Sequence, residues 1–451
     1  MHTRARRRSD SGGPDGFHPG AQAGVDDESL IRLQVEEARR RLRARLASDE
    51  TREHFSRPVE RPFTAEERGT VTILFGGLTP AHETLIQAVL QSCGHRAEPL
   101  PQPDLDACLV GRQYGNNGIC NPAYFTVGNL VKYLQGLEAS GLTRQQIVDR
   151  YVFFTAGGCG PCRFGMYEDE YRLALRNAGF EGFRVLLFLQ SQGINARVGE
   201  KGLDLSLHLG LSVVNAFTLA DALRDFGYCT RPFEVEPGAT DRAVEAGLAI
   251  VATRIRDREP LQASAWVPSR LAGPVDRRPR LKEAIRILAN VHGQLWGTYT
   301  REMARAGAAE AAALEVDRLR VKPVVKVIGE FWAQTTESAG NFNMLAFLER
   351  EGAEVLAESL STWVLYLLNQ ARARMLDGAG IDVPTAGPRL VRWRARVPSA
   401  LATMGRRAYF ALGQRIYCGV HDRARSALGD VPHRLVDPAR FADLARPFYH
   451  E

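Results

Sequence analysis

Beyond residue 66 the chain alternates between two kinds of apolar pattern. Short continuous runs rich in β-branched and aromatic residues end in glycines: "TVTILFGG" (70–77), "YVFFTAGG" (151–158), "RVLLFLQSQG" (184–193) and "PVVKVIGEFW" (323–332). Between and after them lie segments whose apolar residues recur every three to four positions, such as "HETLIQAVLQSCG" (82–94), "DEYRLALRNAG" (169–179) and "NMLAFLEREGAEV" (343–355, ending as a strand). Unbroken apolar strands alternating with amphipathic helices predict an α/β protein with a parallel sheet covered on both faces. The expected plan is a disordered tail (1–25), a helix and linker (26–65), a first α/β domain (66–200), a mainly helical region (201–320), a second α/β unit (321–400) and a basic helical tail (401–451). The apolar positions Ile31, Val35, Ala38, Leu42 and Leu46 place the first helix. "EAIRILANVHGQLWGTYTREMARAG" (283–307) reads as one long helical stretch.

Composition narrows the class without naming a function. A chain of 451 residues, 45% hydrophobic and 24% charged, is ordinary for a globular protein of two or three domains. The longest apolar helix segment, "STWVLYLL" (361–368), falls short of the ~20 residues of a membrane span. With no secretory leader pattern after Arg6–Arg8, the expected location is the cytoplasm, and no membrane partner is expected. Seven cysteines in a reducing compartment then read as ligands, redox groups or core residues. The net charge is +6, and residues 372–430 hold eleven Arg against four acids, a local +7. Such a tail suits an acidic partner or a phosphorylated cofactor, and more simply a solvated helix face; nucleic acid is not the expected partner.

The chemistry gathers where strands end, as it does in parallel sheets. "GGCGPCRFG" (157–165) follows the second apolar strand and carries Cys159 and Cys162. "YGNNGICNPAYFTVGNLVKYL" (114–134) carries Cys120 just ahead of Asn121, a suitable N-cap, and Pro122, suited to the first helical position. Cys162 falls in the first turn of a helix that Pro161 can open. Free backbone N–H groups at helix starts stabilise thiolates and anionic clusters.

Three chemistries fit these residues. A thioredoxin-type dithiol accounts for Cys-Gly-Pro-Cys between a strand and a helix, but no proline occurs between Arg163 and Arg231 to meet it from downstream. Zinc asks for four ligands, and the fourth is not obvious unless Cys108 or a histidine serves. An iron–sulfur cluster held by Cys120, Cys159 and Cys162 would leave one iron of a 4Fe-4S cluster open. Cys93, Cys229 and Cys418 read as packing residues; His82 and Glu83, at a helix start after a strand, could serve as acid–base groups but read first as surface capping groups.

Taken together, "GRQYGNNGICNPAYFTVGNLVKYL", "GGCGPCRFGMYEDEYRLALRNAGFEGFRVLLFLQSQG", "KPVVKVIGEFW" and "GNFNMLAFLEREGAEV" resemble the 2-hydroxyacyl-CoA dehydratase superfamily, in its acyl-CoA dehydratase activase-related branch. The resemblance runs from about Thr70 to the end of the chain. It implies Rossmann-like parallel-sheet domains with a helical insertion and a helical C-terminal tail. It also implies an iron–sulfur cofactor with ligands at Cys120 and Cys162, Cys159 being a plausible third. In the family's dehydratases a separate activase hydrolyses ATP and injects one low-potential electron, and water leaves a 2-hydroxyacyl-CoA through a ketyl radical. Two departures qualify this. Long relatives fuse an ATPase whose phosphate motif has no counterpart here, and relatives continue beyond "ARPFYHE" (445–451). The expected role is thus a component that works with an ATP-hydrolysing activase, a companion dehydratase subunit, or both, on an acyl-CoA-type substrate. A non-catalytic electron-transfer or scaffold subunit is the first alternative, and a zinc or dithiol oxidoreductase the second.

Overall fold

In the computed structural model the described residues are 27–48, 60–158, 162–189, 202–203, 206–258, 267, 273, 275–296, 299–309, 313–377, 389–429 and 435–445. The chain divides into two units, Met1–Val59 and Glu60–Glu451. Of the first, the described part is helix α1 (Asp27–Ser48), which forms where the apolar period places it and carries an Arg41–Glu37 ion pair one turn apart.

The second unit is built on a four-stranded parallel sheet of β1 (Thr72–Phe75), β2 (Arg96–Pro99), β3 (Tyr151–Gly157) and β4 (Arg184–Leu189). The order across it is β2-β1-β3-β4, so the direction of winding reverses between β1 and β3. That reversal opens a crevice at the carboxyl ends of these two strands. Helix α2 (Pro80–Ser92) joins β1 to β2. Helices α3 (Leu105–Tyr114), α4 (Asn121–Ala139) and α5 (Arg144–Arg150) join β2 to β3, and α6 (Tyr167–Asn177) joins β3 to β4. Both faces are covered, which is why the strands read as unbroken apolar runs. Ile73, Phe75, Val152 and Leu186 enter one core with Leu85 and Val89 of α2. Leu74, Phe153 and Val185, one residue out of phase, enter the other with Val127, Leu130 and Leu134 of α4 and Tyr171 of α6.

A helical layer follows: α7 (Leu207–Thr230), α8 (Ala239–Arg256), α9 (Pro279–Leu295) and α10 (Tyr299–Gly307). The expected single helix over 283–307 is interrupted, α9 closing at Leu295 and α10 opening at Tyr299. Then come β5 (Val324–Lys326), α11 (Phe331–Thr335), α12 (Met344–Arg350) and β6 (Glu354–Leu356), the two strands pairing in parallel, and finally α13 (Leu360–Asp377), α14 (Arg389–Ala427) and α15 (Pro438–Ala445). Among the described residues no helix is long and apolar enough to cross a membrane. On α14 the side chains of Arg406, Arg407 and Arg415 are exposed, a solvated basic face, while Arg423 donates to the Leu295 carbonyl.

Candidate metal centre

Helix α4 places Cys120. The cap sits one residue ahead of its expected position: Cys120, extended at φ −73° and ψ 153°, is the N-cap, with Asn121 and Pro122 as the first two helical residues. Its carbonyl accepts from the N–H groups of Ala123 and Tyr124. Its side chain caps nothing, so the sulfur is directed elsewhere. The helix is fixed against α3 by backbone-to-backbone contact. A Cβ at Gly128 would overlap the Ala107 carbonyl, and one at Gly111 would overlap that of Tyr124. The loop between these helices therefore leaves a rigid hairpin.

The loop after β3 places Cys162. It caps a 3-10 turn (Arg163–Met166) that runs directly into α6, and the cysteine itself is exposed. Cys159, the other cysteine of this segment, lies outside the described residues together with Gly160 and Pro161.

The two loops meet. The Cys120 sulfur lies 3.0 Å from the phenol oxygen of Tyr167, the first residue of α6. Burial pushes the Tyr167 hydroxyl well above the usual phenol range, with the Cys120 contact second and a smaller push from Cys162, which is within electrostatic reach of the same ring. Arg163 donates to the Gly118 carbonyl at 2.7 Å. Glu170, buried on α6, accepts from the Asn116 backbone at 3.2 Å and from its amide at 2.7 Å. Gly165 has no room for a side chain, because a Cβ there would overlap the Gly158 carbonyl. The segment 116–120 is thus clasped by the start of α6, and Cys120 touches the first residue of the helix that follows the turn capped by Cys162. Among the described residues no three His, Cys, Asp or Glu side chains are gathered for a metal ion. Glu170 and Tyr167 escaped the sequence reading; the only signal for either was position, on a helix face directly after the cysteine pair.

The neighbouring strand end is built differently. Thr79 caps α2, and His82 and Glu83 in its first turn are buried rather than on the surface. Helix α7, remote in sequence, packs over this turn, with the Phe217 ring edge-on to His82 at 5.4 Å between centroids. His82 Nδ1 lies 2.7 Å from Thr79 Oγ1, and its Nε2 3.3 Å from Asp221 Oδ1 of α7. Asp221 also accepts from the Leu360 and Ser361 N–H groups at 2.9 and 2.7 Å, capping α13. Although burial opposes it, the His82 pairing and these hydrogen bonds hold the Asp221 carboxyl down at about 2. Glu83 accepts from Leu78 N–H at 3.1 Å and from Gln102 at 2.9 Å, yet burial pushes its carboxyl up to about 8.

The loop after β5 leans on the same region. Glu330 caps α11, and the buried Trp332 ring stacks on Phe125 of α4, centroids 6.4 Å apart. Ser338 donates to the Pro103 carbonyl in the loop after β2. The later unit thus packs against the helix that begins at Cys120.

Of the remaining cysteines, Cys229 is buried on α7 with its thiol pushed up to about 12 by desolvation, and Cys93, Cys108 and Cys418 are half-buried. Compared with known proteins, the chain matches no protein-family model, no curated protein and no solved structure.

Proposed function

We propose that this chain is an iron–sulfur protein of Rossmann-like architecture. It would serve a low-potential reductive system of the 2-hydroxyacyl-CoA dehydratase type, with a separate ATP-hydrolysing activase supplying the electron. The observation that carries the reading is the contact of Cys120 with Tyr167, the residue that follows the turn capped by Cys162, so that two separate crossover connections meet there. The donor set fits. Both of these described cysteines are free thiols, one at a helix start and one at a turn start, and Cys159 stands three residues before Cys162 in the sequence. Cys120, Cys159 and Cys162 would hold the cluster.

A bound 4Fe-4S cluster would supply one-electron transfer and, with three protein ligands, one iron open to substrate or solvent. The chain's own residues do the rest. Arg163 and Glu170 hold the Cys120 loop in place, and the α3–α4 contact stops it from drifting. Cys162, exposed, marks the side from which an electron partner or an acyl-CoA-type substrate would approach. The same exposure suits a carrier that passes the electron on without turning over substrate.

Anaerobic isolation followed by reduction with a low-potential donor tests the reading. A paramagnetic reduced 4Fe-4S spectrum supports it, and a colourless protein holding stoichiometric zinc refutes it. Adding reduced activase and a 2-hydroxyacyl-CoA separates the two roles. Loss of water from the substrate marks an enzyme, and electron passage without turnover marks a carrier.

A further inference from the structure

Tyr167 joins the two cysteine loops at a cysteine sulfur. It follows the 3-10 turn that Cys162 caps, so the chain itself connects it to that loop, and its phenol oxygen reaches the Cys120 sulfur of the other. Its ring is buried and held edge-on by Phe164, with centroids 5.3 Å apart. The neighbouring Tyr171, also on α6 and also buried, packs on Phe153 in the sheet core, with centroids 4.8 Å apart. A metal-bound cysteine is a thiolate and can only accept a hydrogen bond, which leaves the phenol as donor. Donation to a ligand sulfur withdraws charge from the metal centre and makes it easier to reduce.

We propose that Tyr167 is a positioning residue that donates a hydrogen bond to the Cys120 ligand sulfur and thereby raises the reduction potential of the bound cluster. The inference rests on the iron–sulfur reading above. It adds a function for a residue that need not touch substrate, and it explains why a buried phenol stands where an apolar ring would pack as well.

The test is a redox titration of the full-length, anaerobically isolated protein as wild type, Tyr167→Phe and Tyr171→Phe, with iron content measured on each sample. Tyr167→Phe keeps the ring and its contact with Phe164 and removes only the hydroxyl. It is expected to keep its iron and to shift the midpoint to a more negative potential, while Tyr171→Phe titrates with the wild type. Equal midpoints in wild type and an iron-loaded Tyr167→Phe overturn this inference and leave the iron–sulfur reading standing. An equal shift in both variants also overturns it, because the change would then reflect packing. A wild-type protein without iron overturns both.

Discussion

Replacing Asp221 by Asn keeps the shape of a fully buried side chain and removes its charge. In the native chain this carboxylate holds three things at once: the N–H groups of Leu360 and Ser361 at the start of α13, and the ring of His82 on α2. The lowering of its carboxyl from 3.8 to about 2 corresponds to about 2 kcal/mol of preference for the ionised form in the folded state. An amide can still accept one of the two N–H bonds but turns an N–H group toward the other, and a buried unsatisfied donor costs about 1–3 kcal/mol. Asp221→Asn should therefore lose about 3–4 kcal/mol at pH 7, within the range seen on breaking buried ion pairs. The sign with pH follows from the depressed value. The stabilisation is complete above about pH 4 and is lost as pH falls through about 2, so the gap between wild type and variant should narrow on acidification. Urea unfolding followed by far-UV circular dichroism at pH 7 and at pH 3 measures both quantities. A loss below about 1 kcal/mol at pH 7, or a gap that widens in acid, would refute the assignment of Asp221 as the ionised centre of this junction.

Three other outcomes are expected. Glu83→Gln should be tolerated at pH 5 and become stabilising relative to wild type by pH 9. The folded carboxyl, raised to about 8, binds a proton that the unfolded chain has released, so wild-type stability falls as pH climbs from 4.5 to 8; unfolding curves at the two pH values check it. Gly128→Ala should destabilise by more than 2 kcal/mol, roughly the scale of severe overpacking, because backbone on α3 occupies the place of the new methyl; thermal unfolding reads this, and an unchanged midpoint would contradict the close helix contact. Glu170→Gln should leave the fold intact while loosening the Asn116 clasp, seen as faster amide hydrogen exchange across 115–119.

Some of this was legible in the sequence because burial on both faces leaves no ambiguity. Strands β1, β3 and β4 have apolar neighbours above and below, so their runs are continuous, and each ends near the predicted glycines. The proline after Cys120 located the start of α4 to within one residue, since proline is accepted at the first positions of a helix and few others. His82 and Glu83 were not legible. A polar pair in a first helical turn looks solvated unless one knows that Asp221, over a hundred residues later, will arrive as the partner of His82, and that Gln102 will bond Glu83. Tyr167 shows the same limit. Its place in the amphipathic helix accounts for its burial, whereas its contact with Cys120 depends on how two crossover loops fold toward one another.

The most direct test of the central claim is the iron and acid-labile sulfide content of the anaerobically purified full-length chain, set beside Cys120→Ser, Cys159→Ser and Cys162→Ser. The account predicts about three to four irons per wild-type chain, with marked loss of iron in each variant. A wild-type chain that stays iron-free after anaerobic reconstitution, or cysteine variants that hold iron as well as the wild type, would contradict it.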